Sequence, residues 1–129
     1  MNTEQKKTMS PFGLWKSQIT PELIAAYVGL SDPQWADDGR TLVWREGHSG
    51  QGVLMAQPLG EAPYVLSGEL SVRAGVGYGG GDFAVRDGLV VFAAKDGRLY
   101  RRSLGTGFPA PITPEFGSAA APQISPDQR

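Results

Sequence analysis

Short apolar runs alternate with segments rich in Gly, Asp and Pro along most of the chain. This pattern predicts strands joined by tight turns, because β-branched and aromatic runs bounded by turn residues are typical of hairpins. The runs fall into two groups, the first at 41–46, 53–56 and 63–67 and the second at 82–85, 89–94, 98–102 and 111–113. Each group therefore predicts an antiparallel meander of four strands, the first group once the strand before its first turn is included.

The segment 1–28 is predicted to form an arm and one short helix. Thr20 and Pro21 are the residue types favoured at the N-cap and at the first helical position, and the apolar residues that follow form one face. The segment 11–15 carries much aromatic surface. We expect it to pack against the sheets as an extended arm, because large aromatic side chains are seldom left in water.

The chain repeats itself. Segment 122–129 matches segment 33–40 at the Pro, the Gln, one Asp and the Arg, and segment 97–105 resembles segment 52–60. The first two are about 90 positions apart and the second two about 45, so the unit is about 45 residues long. A period of this length in a strand-rich chain is typical of propeller blades.

The repeats predict an all-β fold, namely an incomplete β-propeller of four-stranded antiparallel blades over 29–129, preceded by the arm and helix of 1–28. The blades cover 29–67 and 79–113, and a third begins at 118–129. Propellers close with about four to eight blades. We therefore expect the natural protein to be longer, or else copies of this chain to associate through their open blade edges.

The charge and residue composition exclude several classes of function. Twelve Lys and Arg residues against 13 Asp and Glu give a net charge of −1, and the basic residues are scattered, which argues against nucleic-acid binding. Cys is absent and His48 is the only histidine, so we predict no metal site and no cofactor. No apolar run is long enough for a signal sequence or a membrane span, which predicts a cytoplasmic protein that does not bind membranes.

Segment 47–51 is close to the nucleophile elbow of serine hydrolases, but Gln51 stands where the second Gly is required. The elbow also needs a helix after the serine, whereas a strand is predicted here. Ser49 and His48 are therefore interpreted as a polar hairpin tip, and no residue of the chain is predicted to be catalytic. The three tryptophans are predicted to pack in the core: Trp15, Trp35 and Trp44.

The string 77–82 contains four Gly in five positions, which permits backbone conformations and close approaches that other residues do not. We interpret it first as a crossing between blades near the central channel, and second as a ligand contact. An Arg just upstream could bind a carboxylate or form an ordinary ion pair. The candidate substrate-binding residues are Arg73, Tyr78, Gly79, Gly80 and Gly81.

Segments 11–20, 28–33, 78–81 and 99–101 resemble the start of bacterial prolyl oligopeptidase family serine peptidases of the acylaminoacyl peptidase or dipeptidyl aminopeptidase type. The resemblance implies an N-terminal propeller that covers a C-terminal α/β-hydrolase domain and admits only short peptides. The family's catalytic triad belongs to that domain, so no catalytic residue is carried over. Relatives often have His-Glu before the Tyr-Gly-Gly-Gly string, where this chain has Val76 and Gly77.

The function expected from the resemblance is that of the N-terminal propeller part of a serine peptidase. It would gate and select short peptides for the hydrolase domain, and this chain alone would be inactive. A noncatalytic propeller that serves as a protein-binding scaffold is the alternative. A second alternative is a small self-contained β protein whose open blades are completed by oligomerisation.

Overall fold

The structure, a computed structural model, describes residues 9–14, 17–74, 81–115 and 117–128. It contains one short helix, α1 (Pro21–Ala25), and two antiparallel four-stranded sheets. The first sheet is formed, in this order, by β1 (Gly29–Trp35), β2 (Thr41–His48), β3 (Gln51–Pro58) and β4 (Tyr64–Val65). The second sheet is formed by β5 (Phe83–Arg86), β6 (Leu89–Ala93), β7 (Leu99–Ser103) and β8 (Ala110–Pro111). The all-β prediction and both four-stranded meanders are confirmed.

The helix begins as predicted. The Thr20 hydroxyl accepts a hydrogen bond of 3.1 Å from the Leu23 N–H, and Pro21 is the first helical residue. None of the helical residues is buried. A helix of five residues has too little apolar face to bury against a sheet, so its side chains remain in solvent.

The prediction that the N-terminal arm packs against the sheets is wrong for the residues that the structure describes. Phe12 and Leu14 are both largely exposed. Trp15, which contributed to the prediction, lies outside the described residues. Aromatic content alone therefore did not indicate burial here, because burial also needs a sheet face within reach.

The hairpin between β2 and β3 closes with a two-residue turn. His48 pairs with Gln51, and both Ser49 and Gly50 have positive φ, at 47° and 81°. Positive φ at both central residues matches the twist of the strands that flank a two-residue turn. The interpretation of this segment as a polar hairpin tip is confirmed.

The turn before β2 is held by an aspartate. The Gly39 N–H donates to the Ala36 carbonyl at 2.9 Å, with Gly39 at φ 62°. One oxygen of Asp38 accepts from the N–H groups of Arg40 (2.7 Å) and Thr41 (2.9 Å). These bonds, that of Arg40 first, hold the pKa of Asp38 below its ordinary value.

We expect stability to fall in acid for this reason. Asp38 binds a proton less tightly in the folded chain, so the unfolded chain takes up more protons as the pH drops below about 4. The stabilisation is complete above the unfolded pKa of Asp38 and is lost as the pH falls through the folded pKa. Urea unfolding at about pH 6 and about pH 3 measures the difference, and Asp38→Asn should reduce it. An unchanged pH dependence in Asp38→Asn would contradict this assignment.

The core lies between the two sheets. Val43 and Leu54 of the first sheet and Leu66, which follows β4, pack with residues of β6 and β7, among them Phe92 and Tyr100. All five residues of β6 are buried, as predicted for a strand covered on both faces. Trp35 is instead 65% exposed, so its predicted core position is wrong. Its side chain lies on the opposite face of the first sheet, which no described residue covers with a second layer.

The two sheets have the same internal pattern. After β3, the Leu66 N–H donates to the Leu54 carbonyl at 2.7 Å, and after β7 the Ile112 N–H donates to the Leu99 carbonyl at 2.9 Å. Leu54 therefore corresponds to Leu99, and Leu66 to Ile112. The two units that repeat in the sequence at a spacing of about 45 residues are thus also equivalent in structure.

Close approaches of the main chain repeat as well. The chain leaving the first sheet passes Gly52 so closely that a Cβ there would overlap the Val72 carbonyl oxygen. In the second unit a Cβ on Gly97 would overlap the Gly117 carbonyl oxygen in the same way. Glycine is required at both positions because only hydrogen fits.

The sheets stack head to tail. Trp44 pairs with Met55 on one face of the first sheet, and the corresponding pair in the second sheet is Phe92 with Tyr100. The Phe92 face packs against the first sheet, whereas the Trp44 face is not covered by another described sheet. The two sheets thus use opposite faces for their shared core.

The segment 117–128 lies over the remaining face of the second sheet. The Ala119 N–H donates to the Gly97 carbonyl and the Ala121 N–H to the Gly81 carbonyl, both at 2.9 Å. No strand forms within 117–128, contrary to the prediction of a strand here, since no described strand pairs with it and Pro122 has no N–H. A turn does form, closed by the Gln128 N–H on the Ser125 carbonyl at 2.9 Å.

Candidate functional site

A polar cleft of about 400 Å³ lies where the three repeat units meet. The first unit contributes Gln34 from β1 and Asp37 from the following turn. The second contributes all of β5, and the third contributes Gln123 and Ile124. The cleft is therefore built by the first strand of each complete unit together with the corresponding segment of the third.

The sequence repeat places amide side chains in this cleft. Gln34 and Gln123 occupy the same position in the segments 33–40 and 122–129. The Gln34 amide donates to the Phe83 carbonyl at 3.3 Å, which ties β1 to β5. Each amide group offers both a donor and an acceptor, so the pair can recognise a peptide backbone.

Two opposite charges lie in the same cleft. One oxygen of Asp37 accepts the Asp87 N–H at 2.8 Å, and this bond joins the first turn to the second. On the other side, Nη1 of Arg86 donates to the Ile124 carbonyl at 3.4 Å. The cleft thus presents a carboxylate and a guanidinium, which suit an ammonium group and a carboxylate group of a ligand.

The residues predicted for substrate binding lie elsewhere or outside the described chain. Arg73 is exposed, and its N–H donates to the Ala93 carbonyl at 2.9 Å. Gly81 is half-buried, and its carbonyl accepts the Ala121 N–H. Neither lines the polar cleft. Tyr78, Gly79 and Gly80 lie outside the described residues.

Asp82 fixes the described residues on both sides of 75–80. Its Oδ1 accepts the Ala74 N–H at 2.7 Å, and its Oδ2 lies 3.5 Å from Nε of Arg45. That Nε also donates to the Val72 carbonyl at 2.9 Å. The carboxylate therefore holds the chain leaving the first sheet against the chain entering the second.

His48 and Ser49 do not form a catalytic pair. Nε2 of His48 lies 2.8 Å from Oε2 of Glu46, at the exposed hairpin end. The other oxygen of Glu46 accepts the Trp44 indole N–H at 3.0 Å, and these bonds, that of Trp44 first, lower the pKa of Glu46. Within the described ranges, no group of three or more His, Cys, Asp or Glu side chains is arranged to hold a metal ion.

Reasoning from the sequence missed the residues of the polar cleft. Asp37 and Arg86 stand beside Asp-Gly turns, where polar residues are common, so neither gives a local signal of a binding site. The signal that could have found the cleft was the repeat itself, since the identical Pro-Gln pair begins both matching segments. Gln34 and Gln123 were noticed as marks of periodicity and not as side chains that share a surface.

The only helix in the described part of the chain has five residues, and no described helix is long and apolar enough to cross a membrane. No family model, curated protein or solved structure matches the chain.

Proposed function

We propose that the chain forms part of a β-propeller that binds short peptides in the polar cleft. In this proposal it gates and selects these peptides for the α/β-hydrolase domain of a serine peptidase, as the resemblance to prolyl oligopeptidase family peptidases implies. The single observation that carries the proposal is the cleft lined by three successive repeat units.

The propeller part of the proposal is supported by the way the units stack. Propeller blades are four-stranded antiparallel sheets that pack face to face around an axis, with the first strand of each blade nearest that axis. In this chain β1, β5 and the segment 117–128 come together at the cleft, and the meanders run away from it. The polar cleft then corresponds to part of the channel lining.

The peptide part of the proposal is supported by the groups in the cleft. A peptide with free ends carries an ammonium and a carboxylate, which match Asp37 and Arg86, and amide groups that match Gln34 and Gln123. A volume of about 400 Å³ is within the usual range for small ligands. A short peptide fits such a cleft, whereas a folded protein does not.

Peptide binding tests the proposal. Trialanine with free ends is expected to bind the 129-residue chain, with titration calorimetry as the measurement. Gln34→Ala and Gln123→Ala should each weaken binding about fivefold, because each removes hydrogen bonds to the peptide backbone. Acetylated and amidated trialanine should bind less tightly, since the blocked ends offer no ammonium to Asp37 and no carboxylate to Arg86.

Gln51→Ala is the matched control, because this glutamine is exposed at the hairpin tip and away from the cleft. It should bind trialanine as the unaltered chain does. No binding of trialanine, or equal loss in all three glutamine variants, would refute the cleft as a peptide site. The chain alone should also leave aminoacyl nitroanilides unhydrolysed, because catalysis is assigned to the hydrolase domain.

A noncatalytic scaffold is the second candidate, favoured by the exposed apolar side chains of the first sheet. Trp35 and Leu59 are 65% and 70% exposed, and exposed apolar patches mark protein interaction sites. This candidate predicts no selectivity for the free ends of a peptide. The comparison of free with blocked trialanine therefore distinguishes the two functions.

A further inference from the structure

One edge of β5 borders the polar cleft. Among the described strands, β5 pairs only with β6, and all four residues of β5 line the cleft along its other edge. The edge of a strand carries main-chain N–H and C=O groups that can hydrogen-bond to an added strand. The second sheet therefore offers main-chain donors and acceptors to a ligand in the cleft.

The register of the hairpin shows which of these groups face the cleft. The Ala93 N–H donates to the Asp82 carbonyl at 2.8 Å, and Asp87 and Gly88 form the two-residue turn between β5 and β6. Main-chain groups in an antiparallel pair point alternately toward the partner strand and away from it. The even-numbered residues of β5 therefore direct their N–H and C=O groups toward β6, and the odd-numbered residues direct theirs toward the cleft.

Two hydrogen bonds agree with this orientation and close the ends of the free edge. The Phe83 carbonyl accepts from the Gln34 amide at 3.3 Å, and the Asp87 N–H donates to the Asp37 carboxylate at 2.8 Å. Val85 lies midway between Phe83 and Asp87, with its side chain packed against the core. Outside β6, no described residue hydrogen-bonds to the main chain of Val85. Its N–H and C=O are therefore both available to a ligand.

We propose that a peptide in the cleft binds as an added strand on β5, antiparallel to it, and that one peptide residue exchanges both of its main-chain hydrogen bonds with Val85. The proposal rests on the peptide-binding function proposed above and specifies how the peptide backbone is held. Asp37 lies beside Asp87, just beyond the C-terminal end of β5. A peptide whose ammonium group meets Asp37 therefore runs antiparallel to the strand.

The closed ends of the edge define the class of ligand. The Asp37 carboxylate takes the place of a residue opposite Asp87, so the second residue of the peptide comes opposite Val85. A fourth residue would come opposite Phe83, whose carbonyl is already held by Gln34. The site therefore suits extended peptides of about three residues that have a free ammonium group and an N–H on the second residue.

Calorimetry with a methylated peptide tests the proposal. Trialanine with an N-methyl group on its second residue lacks the N–H that donates to Val85. It should bind the 129-residue chain at least about tenfold more weakly than trialanine does. The same loss should remain in Gln34→Ala and in Gln123→Ala, because neither glutamine accepts that N–H. A loss that disappears in either variant would overturn the proposal, since that glutamine would then be the acceptor.

Val85→Pro removes the second hydrogen bond from the side of the protein. Proline is tolerated on a strand edge where the N–H points away from the sheet, so the circular dichroism should be retained. Trialanine should bind this variant at least about fivefold more weakly. Val85→Ala is the matched control, because it also loses the valine side chain but keeps the N–H, and it should bind trialanine as the unaltered chain does.

Equal binding of trialanine by folded Val85→Pro and Val85→Ala would contradict the proposal. If Val85→Pro does not fold, the methylated peptide decides, because that measurement uses the unaltered chain. The outcomes also separate the added strand from the function on which it rests. No binding of trialanine refutes both. Binding that requires the free ends and the glutamines, but tolerates the methyl group on the second residue, retains the peptide site and overturns the added strand.

Discussion

Phe92→Ala is expected to destabilise the chain by about 4 kcal/mol, the largest effect of any substitution considered for this fold. Phe92 is fully buried between the sheets and stacks on Tyr100 with 5.8 Å between ring centroids. Truncation removes the buried ring surface and leaves a cavity between the two sheets. Urea unfolding followed by circular dichroism measures the loss.

Phe108→Ala provides the matched control, since the chemical change is identical and the ring is largely in solvent. It should change the free energy of unfolding by less than about 0.5 kcal/mol. Similar losses in the two variants would mean that the sheets do not pack through the Phe92 face. Small domains have total stabilities of about 5 to 15 kcal/mol, so the unfolding of Phe92→Ala and of the unaltered chain is compared at low temperature, where more of the variant stays folded.

Gly52→Ala is expected to cost about 3 kcal/mol, because the new methyl group would overlap the Val72 carbonyl oxygen and force the main chain apart. The Val72 N–H donates to the Gly52 carbonyl at 2.8 Å, so the displacement also breaks a bond between the first sheet and the chain leaving it. Thermal unfolding should show the loss as a lower midpoint. The corresponding variant Gly97→Ala should lose at least as much, since φ is also positive there, at 87°.

Gly105→Ala separates this effect from the general cost of replacing glycine. Gly105 has no positive φ and no atom near the position of a Cβ. Alanine there should be neutral or slightly stabilising, because it restricts only the unfolded chain. Equal losses in Gly52→Ala and Gly105→Ala would show that the close approach to Val72 is not the cause.

The sequence was sufficient to predict the hairpins, because their signals are local. The positive φ angles of Gly39 and Gly50 and the N-cap at Thr20 are each determined by a few neighbouring residues of the chain. Burial is not local. Trp35 and Val85 occupy corresponding positions in strands of similar pattern, yet only Val85 packs against the core. The difference depends on which face of each sheet is covered by a neighbouring sheet. The alternation of apolar and polar residues along a strand does not indicate which face that is.

The candidate site escaped prediction for a related reason. Gln34 and Gln123 are far apart in the chain and meet only because the units stack with their first segments together. The glycine-rich string 77–82 is instead locally unusual in composition, which is why the sequence indicates it as a candidate site. Arg73 and Gly81, at the two sides of that string, use backbone groups to join neighbouring segments. A polar residue that recurs at the same position of successive repeats is a better guide to a shared surface than a locally unusual composition.

Head-to-tail stacking also sets the order in which parts of this protein can become stable during synthesis. The face of the first sheet that carries Val43, Leu54 and Leu66 is complete in sequence before β5 has been made, yet its covering layer comes from β6 and β7. During synthesis, the first meander therefore exposes apolar residues to water or to a chaperone until the second meander has been made. Each unit acts as the folding partner of the one before it.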